Sequence, residues 1–249
     1  MTFGDKPFLI LGEDRPSRIV ITCDHASNCV PKEVCGGDLG VAPGDMERHI
    51  AYDVGAAGVS ERLGELLNAP VFLSNFSRLV IDPNRGEDDP TLIMQLYDGS
   101  IIPGNRHLCA EEKAWRMRHL YYPYHEALAQ LIESRESPVI LAVHSFTPQL
   151  SGYPPRPWHV GILHEKDQRL ARPMLARLRA EHDLCVGENE PYGGHLDGDS
   201  IDRHCLAHGH PNILFELRND LIRTPQTQIA WAERLAPMIT EVLETTKIS

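Results

Sequence analysis

The stretch of sequence that decides the fold is Pro138-Val-Ile-Leu-Ala-Val143, which runs directly into His144-Ser145-Phe146. Its apolar part carries no charge and contains β-branched side chains. Such a run is typical of a strand that is buried on both faces, and strands of this kind belong to parallel sheets covered by helices. The pattern therefore predicts a central strand whose carboxyl end presents the polar His144.

Shorter runs of the same kind alternate along the chain with longer segments that have apolar residues at helical spacing. Asp167 and Thr224 are expected to cap two of the helices, and Pro225 suits a first helical position. Strand alternating with helix predicts an α/β fold, with three α/β/α layers around a mostly parallel or mixed sheet. Further strands are predicted at 18–23, 70–73, 79–81, 159–163 and 212–215, and helices at 54–67, 111–132, 168–180 and from 225 onward.

The overall composition is that of a globular protein. Hydrophobic residues make up 42% of the chain and charged residues 24%, so a sizeable core is expected. No repeat, low-complexity tract or linker interrupts the sequence, which predicts a single domain over 1–249. The net charge of −11 argues against nucleic acid as a partner, because a phosphate backbone requires clustered Lys and Arg. A small anionic ligand stays possible, because a few buried arginines can override the mean charge locally.

The six cysteines form no C-x-x-C pair, and a chain of this length does not need disulfides to be stable. We expect reduced thiols, although the even spacing of Cys23, Cys29 and Cys35 leaves a metal site as a less favoured interpretation. The apolar run at 8–11 is too short for a signal peptide or a membrane span. These features predict a cytoplasmic protein that is not associated with a membrane.

Polar side chains follow four of the predicted strands at the point where each strand ends. In open α/β sheets, ligands bind beyond the carboxyl ends of the strands, so we expect these side chains to share one edge of the sheet. Four clusters at one edge indicate a binding or catalytic site. The clusters are Asp24-His25-Ala-Ser-Asn28, Asp82-Pro-Asn84-Arg85, His144-Ser-Phe-Thr147 and Glu216-Leu-Arg218.

The residue types in these clusters suit metal-assisted hydrolysis. A catalytic zinc requires histidines and a carboxylate, with one position left open for water, and His25 and His144 are the candidate histidines. Glu216 lies between apolar neighbours that can raise its pKa and fit it for general-base chemistry. Each residue also has a structural interpretation, since a single strand-end histidine is more often only hydrogen-bonded and Glu216 can form an ion pair with Arg218.

Several segments of the sequence resemble segments of known enzymes. The Phe215-Glu216-Leu-Arg218 segment is similar to the zinc carboxypeptidase segment that holds the catalytic glutamate, and His144-Ser-Phe is similar to the zinc-binding H-S-aromatic of that superfamily. A longer ordered set of phrases, from about Ile19 to the C-terminal helix, resembles the N-formylglutamate amidohydrolase family. The phrases are Thr22-Cys-Asp-His-Ala-Ser-Asn28, His49-Ile-Ala-Tyr-Asp-Val-Gly-Ala56, Ser77-Arg-Leu-Val-Ile-Asp-Pro-Asn-Arg85 and Arg218-Asn-Asp-Leu-Ile222.

This resemblance implies a phosphorylase/hydrolase-like fold, as in zinc carboxypeptidases, and metal-dependent hydrolysis of an N-acyl amino acid. It implies that Zn²⁺ or another divalent metal is bound by His25 and His144, and that Glu216 is the catalytic base. Arg85 would clamp a substrate carboxylate, which suits the bidentate geometry of guanidinium, and Arg78 would stabilise the developing oxyanion.

The substrate-binding side chains follow from the same resemblance and from one further segment. Residues 188–210 are rich in Gly, His and Asp, which predicts a loop that closes over the site. The side chains expected to bind substrate are Asn84, Arg85, Tyr192 and Arg218, with His195 and His204 as further candidates.

The third metal ligand is where the sequence departs from the zinc carboxypeptidase pattern. Those enzymes have H-x-x-E, whereas His25 is followed by Asn28, and an amide is a poorer zinc ligand than a carboxylate. Asp53 is the first candidate for the missing carboxylate, with His49 and Glu47 as alternatives. Asp53 can equally cap the helix predicted to follow it.

The leading functional interpretation is hydrolysis of N-formyl-L-glutamate, a small anionic N-acyl amino acid, to formate and glutamate. One alternative is a deacylase or carboxypeptidase-type hydrolase that acts on another N-acyl amino acid. A second is an inactive homologue that only binds a small molecule, which the Asn28 departure favours and the retained Glu216 disfavours. The sequence does not indicate an oligomeric state.

Overall fold

The apolar run that begins at Val139 forms the longest strand of the protein, and a seven-stranded sheet is built around it. A computed structural model describes residues 6–194 and 196–247 of the chain. Among these residues the strands are, in chain order, β1 (Phe8–Leu11), β2 (Ile19–Cys23), β3 (Val71–Ser74), β4 (Leu96–Tyr97), β5 (Ser100–Ile101), β6 (Val139–Phe146), β7 (Val160–Leu163), β8 (Val186–Glu188) and β9 (Asn212–Arg218).

The order of strands in the main sheet is β1-β3-β2-β6-β9-β7-β8. Strands β3, β2, β6 and β9 are parallel neighbours, so their carboxyl ends meet at one edge. β1 is antiparallel to β3, β7 is antiparallel to β9, and β8 is parallel to β7. The mostly parallel, mixed sheet predicted from the sequence is confirmed. β4 and β5 form a separate hairpin.

Helices alternate with these strands, as the periodicity predicts. A π-helical turn, Met117–Tyr121, joins two of them into one continuous helix. The last helix begins as predicted, because the Thr224 hydroxyl accepts a hydrogen bond from the Thr227 amide and proline follows. The α-helices are α1 (Pro43–Met46), α2 (Ala56–Leu66), α3 (Ala110–Arg116), α4 (Tyr122–Glu133), α5 (Ala171–Arg179), α6 (Ser200–His204) and α7 (Pro225–Thr245).

Asp167 does not cap α5, contrary to the prediction. The helix begins at Ala171, and its N-cap residue Leu170 makes no side-chain capping bond. The Asp167 carboxylate instead accepts three hydrogen bonds from Arg169, from the backbone amide and Nε at 3.0 Å and from Nη2 at 2.7 Å. A carboxylate satisfied within its own turn is no longer available to the helix amides.

The sheet carries a hydrophobic core on each face, which gives the predicted three layers. Helices α2, α5 and α7 pack on the first face, and the continuous helix formed by α3 and α4 packs on the second. Along β6, Leu141 and Val143 contribute to the first core, whereas Ile140 and Ala142 contribute to the second. Because side chains alternate along a strand, His144 continues the series that points to the second face.

The strand predicted at 79–81 does not form. Leu79, Val80 and Ile81 are fully buried, but they lie in an irregular segment beneath the second face. The carbonyl of Leu79 accepts from Asn105 Nδ2 at 2.7 Å, and that of Val80 accepts from Arg116 Nη1 at 2.8 Å. Buried side chains thus satisfy backbone groups that a neighbouring strand would otherwise satisfy. The apolar run at 79–81 correctly predicted that these side chains are buried, but the predicted strand is wrong.

The remaining differences lie at the edges of the sheet. β1 and β8, which were not predicted, are short edge strands, and Leu9 of β1 is 48% exposed. β6 and β9 extend through Phe146 and Arg218, past the predicted ends at 143 and 215.

None of the six cysteines forms a disulfide, as predicted. None of the described helices has the length and apolar character needed to cross a bilayer.

Helix α2 offers a matched test of this packing. Leu63 is fully buried against the first face, whereas Leu66, one turn away, is 39% exposed. We expect Leu63→Ala to lower the free energy of unfolding by about 2–5 kcal/mol, because it removes buried methyl groups and leaves a cavity. Leu66→Ala should change it by less than about 0.5 kcal/mol. Urea denaturation of both variants measures the difference, and equal losses would contradict the assignment of α2 to the first core.

Candidate active site

The pairing of two parallel strands sets the position of the central residues. In the register of β6 and β9, His144 lies directly beside Glu216, and both side chains belong to the series that points to the second face. The sequence predicts that these residues follow their strands, but in the structure they lie within the last three residues of β6 and β9. Regular strand geometry therefore fixes the two side chains relative to each other, which a loop would not do.

Asp53 and His25 reach the same place from loops. His25 follows β2, and its carbonyl accepts the Asp53 amide at 2.8 Å. Helix α2 begins at Ala56, after Gly55, so the Asp53 carboxylate is not used as its cap. That carboxylate is almost completely buried and lies 2.9 Å from His144 Nδ1, 3.4 Å from His25 Nδ1 and 3.2 Å from the Ser145 amide.

His25, Asp53 and His144 form the kind of cluster that can hold a metal ion. One potential ligand atom from each residue lies within 4.8 Å of the other two, and all three side chains are buried. Both histidines direct Nδ1 toward Asp53. Two imidazole nitrogens and one carboxylate oxygen are a donor set that suits a catalytic zinc with an open position. The donor set and its geometry therefore fit a divalent metal.

Each histidine has a carboxylate behind it, on the ring nitrogen that points away from Asp53. His25 Nε2 lies 2.7 Å from Asp82 Oδ1, and His144 Nε2 lies 3.5 Å from Asp24 Oδ2. The other oxygen of Asp24 accepts a hydrogen bond of 2.5 Å from the Tyr124 hydroxyl. Carboxylates in this position commonly fix the tautomer and orientation of metal-binding histidines. The sequence shows Asp24 and Asp82 at the site, but not which ring each one holds.

Electrostatic interactions inside the cluster shift several pKa values. Burial by itself raises the pKa of Asp53, but the charges of Arg78 and His25 outweigh this effect and hold it well below its ordinary value. Burial lowers the pKa of His144, yet its contacts with Asp24 and Asp53 bring the pKa well above normal. For Asp24, burial is outweighed by His144 and His25, and the pKa falls to about 2. Both carboxylates are therefore ionised near neutral pH.

Glu216 is buried differently from these carboxylates. It is 6% exposed, and its Oε2 has no hydrogen-bond partner in the described part of the chain. Desolvation raises its pKa to about 8, against the opposing charge of His144. It does not form the structural ion pair considered from the sequence, because Arg218 pairs with Asp220 at 2.8 Å. A carboxyl group with a pKa near neutrality and a free oxygen can accept and return a proton.

The other third-ligand candidates lie outside the cluster. The Asn28 amide donates to the Met46 carbonyl at 3.0 Å and to Glu47 at 3.3 Å, so these two residues face each other. His49 Nδ1 lies 3.2 Å from the second oxygen of Asp53. It reaches that oxygen from an irregular segment of the chain.

A cavity of about 450 Å³ opens onto the cluster and Glu216. Its walls include four of the side chains predicted to act on substrate, and they also include Tyr97 and Asp199, which the sequence did not indicate. Arg218 is not among the lining residues. The lining residues with predicted roles are His25, Asp53, Arg78, Asn84, Arg85, His144, Tyr192 and Glu216.

The arginines of the cavity differ in their partners. Arg78 is buried and donates to both His25 Nδ1 and Asp53, directly beside the cluster. Arg85 makes only neutral hydrogen bonds, at 3.1 Å to Thr91 Oγ1 and to the Asn84 carbonyl. The Arg85 carbonyl in turn accepts the Tyr121 hydroxyl at 2.7 Å. Among the described residues, Arg85 therefore has no ion-pair partner at the cavity wall, although its charge helps to lower the pKa of Asp82.

The loop that carries Tyr192 is pressed against the sheet. A Cβ at Gly161 of β7 would overlap the Glu190 carbonyl, and one at Gly194 would overlap the His164 carbonyl. His204 lies away from the cavity, with its Nε2 2.9 Å from His125 Nδ1. His195 lies outside the described residues. Close backbone contact, which only glycine permits here, seats this part of the loop over the cavity.

A buried cluster that can hold a metal ion, a glutamate with a raised pKa beside it and a cavity that opens onto both are features that fit the class of hydrolases. A family model described as N-formylglutamate amidohydrolase matches residues 17–223. The chain belongs to the N-formylglutamate amidohydrolase family, and the resemblance found in the sequence is confirmed.

Solved structures agree with this assignment. The crystal structure of a gene product from Agrobacterium tumefaciens is 33% identical, with a TM-score of 0.91 over 97% of this chain and 96% of the other. The N-formylglutamate amidohydrolase from Ralstonia eutropha is 21% identical, with a TM-score of 0.72 over 98% of this chain and 99% of the other, and shares the fold. No curated protein sequence matches the chain.

The contact at Gly161 can be tested by a single methyl group. We expect Gly161→Ala to lower the free energy of unfolding by about 1–3 kcal/mol, because the added Cβ forces the Glu190 carbonyl away. Limited proteolysis should then cut more readily within Glu188–Gly194. Gly193→Ala is the matched control in the same loop, because no atom lies within 4 Å of its added Cβ. Identical stability and cleavage in both variants would rule out a loop seated on β7.

Proposed function

We propose that this chain is a metal-dependent amidohydrolase that cleaves a small anionic N-acyl amino acid, with N-formyl-L-glutamate as the expected substrate and formate and glutamate as products. The observation that supports the proposal most directly is the position of Glu216, whose unpaired oxygen is buried beside the His25–Asp53–His144 cluster. Family membership supports the reaction class, and the cavity residues support the anionic substrate.

His25, Asp53 and His144 would hold the metal, with Asp82 and Asp24 orienting the two imidazole rings from behind. A bound zinc ion supplies Lewis-acid polarisation of the acyl carbonyl and lowers the pKa of water. A divalent metal would add to the compensation that Arg78 already gives the buried Asp53 carboxylate.

Glu216 would take the proton from the attacking water and deliver it to the leaving nitrogen. Its raised pKa fits both halves of this transfer, because a base with a pKa near the working pH is protonated and deprotonated with similar ease. His144, held alongside in the strand register, keeps the carboxyl group close to the ligand set. The product nitrogen therefore leaves as an amine and the acyl group as a carboxylate.

The substrate would be held by the polar wall of the cavity. Arg85 has a free charge to bind a carboxylate, and Asn84 lies next to it. Arg78 would stabilise the oxyanion, because its guanidinium already lies at the ligand atoms of His25 and Asp53. Tyr192 closes the cavity from the loop side. Which acyl group the cavity accepts is tested by a panel of substrates that differ in that group.

Metal binding is tested first, by a change that keeps the shape of the ligand. We expect purified protein to contain about one zinc or other divalent ion per chain, and Asp53→Asn to lose most of it because an amide is a poorer ligand. Elemental analysis before and after dialysis against a chelator measures the content. Glu47→Gln is the control, since Glu47 faces Asn28 and not the cluster. A metal content that is unchanged in Asp53→Asn, or absent from metal-supplemented wild type, would refute the site.

The base is tested by Glu216→Gln, which keeps the size of the side chain and removes its proton affinity. We expect formate release from N-formylglutamate to fall by about 10²- to 10⁴-fold, the usual contribution of general acid–base catalysis, with metal content unchanged. N-acetylated and peptide analogues assayed beside it separate a deformylase from a deacylase of other substrates. Undiminished turnover in Glu216→Gln would exclude this residue as the base, and no turnover of any analogue by wild type would favour an inactive homologue.

A further inference from the structure

Four arginines lie in or next to the cavity, and among the described residues only two of them have a carboxylate partner. Arg78 pairs with Asp53, and Arg218 pairs with Asp220. Arg85 and a residue that the sequence did not single out, Arg156, form no ion pair with any described carboxylate. In a chain with a net charge of −11, two unpaired guanidiniums at one cavity are a specific feature.

Arg156 is held directly behind the cavity wall. Its Nη1 donates to the Tyr192 hydroxyl at 3.2 Å and to the Thr147 carbonyl at 3.1 Å. Its guanidinium carbon lies 5.0 Å from the centre of the Tyr192 ring and 5.8 Å from that of Phe146, which follows two residues after His144. Tyr192 lines the cavity, so one hydrogen bond separates the Arg156 charge from it.

The backbone presents this side chain from a stiff segment. Proline precedes and follows Arg156 in the sequence Pro154-Pro-Arg156-Pro157, which restricts the backbone angles on both sides. The Arg156 amide donates to the Pro148 carbonyl at 2.8 Å. Arg218 Nη1 donates to the carbonyls of Arg156 and Pro157, both at 3.3 Å. Arg218, which is expected from the sequence to bind substrate, thus also holds the backbone of the segment that carries Arg156.

A half-buried guanidinium with only neutral partners is a pre-formed binding site for an anion. The aromatic faces and two neutral oxygens orient the guanidinium, and no described carboxylate lies within ion-pair distance of it. Guanidinium binds carboxylates in bidentate fashion, and such charge-assisted hydrogen bonds are the stronger ones. N-acyl derivatives of acidic amino acids carry two carboxylates, and the cavity region offers two free guanidiniums.

We infer that Arg156 binds the side-chain carboxylate of the substrate, so that the enzyme selects N-acyl derivatives of acidic amino acids. This inference rests on the proposed function and extends it to a specificity-determining residue. Arg85 binds the α-carboxylate, which all N-acyl amino acids share. Arg156 binds the carboxylate that neutral substrates lack. Tyr192 lies between Arg156 and the cavity, so the substrate carboxylate would reach the guanidinium by displacing the Tyr192 hydroxyl from its hydrogen bond with Nη1.

The test compares two ligands that differ only in that charge, N-formylglutamate and its isosteric amide N-formylglutamine. Binding is measured by calorimetry in the Glu216→Gln background, where hydrolysis does not interfere, and kcat/KM is measured with Glu216 intact. We expect Arg156→Gln to weaken N-formylglutamate about 10- to 100-fold, which is the range for a hydrogen bond to a charged group, and N-formylglutamine less than about threefold. Arg85→Gln is the matched control and should weaken both ligands alike.

The outcomes separate this inference from the proposed function. A preference for N-formylglutamate that persists in Arg156→Gln overturns the inference while formate release by the wild type upholds the function. Discrimination in binding that is lost in Arg156→Gln, without formate release by the wild type, upholds the binding site and overturns the reaction. Arg156→Lys guards against misfolding, because it keeps the charge and should retain part of the preference. Loss of binding to both ligands in Arg156→Lys would assign Arg156 a structural role and overturn the inference.

Discussion

The buried carboxylate of Asp53 is the interaction on which the rest of the site depends. It accepts from Arg78 and the Ser145 amide, and it faces both histidines of the cluster. A charge that is 1% exposed is stable only if its surroundings compensate it, so loops from three parts of the chain must converge on it. The sheet provides the fixed side of this arrangement, and Asp53 draws the loops onto it.

Two kinds of constraint meet at this point. His144 and Glu216 are placed by strand register, which leaves them little freedom. His25 and Arg78 are placed by irregular segments. The His25 carbonyl accepts the Asp53 amide, and side chains of the second face satisfy the two carbonyls that follow Arg78. A site assembled from a rigid edge and tethered loops can keep its ligand atoms in place while the wall that faces the substrate adapts.

The sequence predicted the sheet, its central strands and most of the residues that gather at its carboxyl edge. These predictions are correct because a strand buried on both faces is a continuous apolar run and its functional end is polar. Both features can be recognised in the sequence, as at Val139–Phe146. It failed at 79–81, where full burial was achieved without a strand, since hydrophobicity reports where a side chain lies and not what its backbone pairs with. Asp24 and Asp82 were visible as polar residues, but pairing each with a ring requires three-dimensional positions. Arg156 left no trace because its role depends on a tyrosine from a distant loop.

The π-helical turn between α3 and α4 has a further consequence. Two phenol groups of this helix contact the site: Tyr121, the last residue of the turn, donates to the Arg85 carbonyl, and Tyr124, beyond the turn, donates to the Asp24 carboxylate. Each helical residue advances the chain by roughly 100° around the axis, so the extra residue of a π turn resets the direction in which every later side chain points. Removing one residue from Met117–Tyr121 would leave an uninterrupted helix. Its apolar stripe and both hydroxyls would then point away from their partners. The length of this helix is therefore fixed to the single residue, both by these contacts at the cavity and by the apolar side chains that α4 buries against the second face.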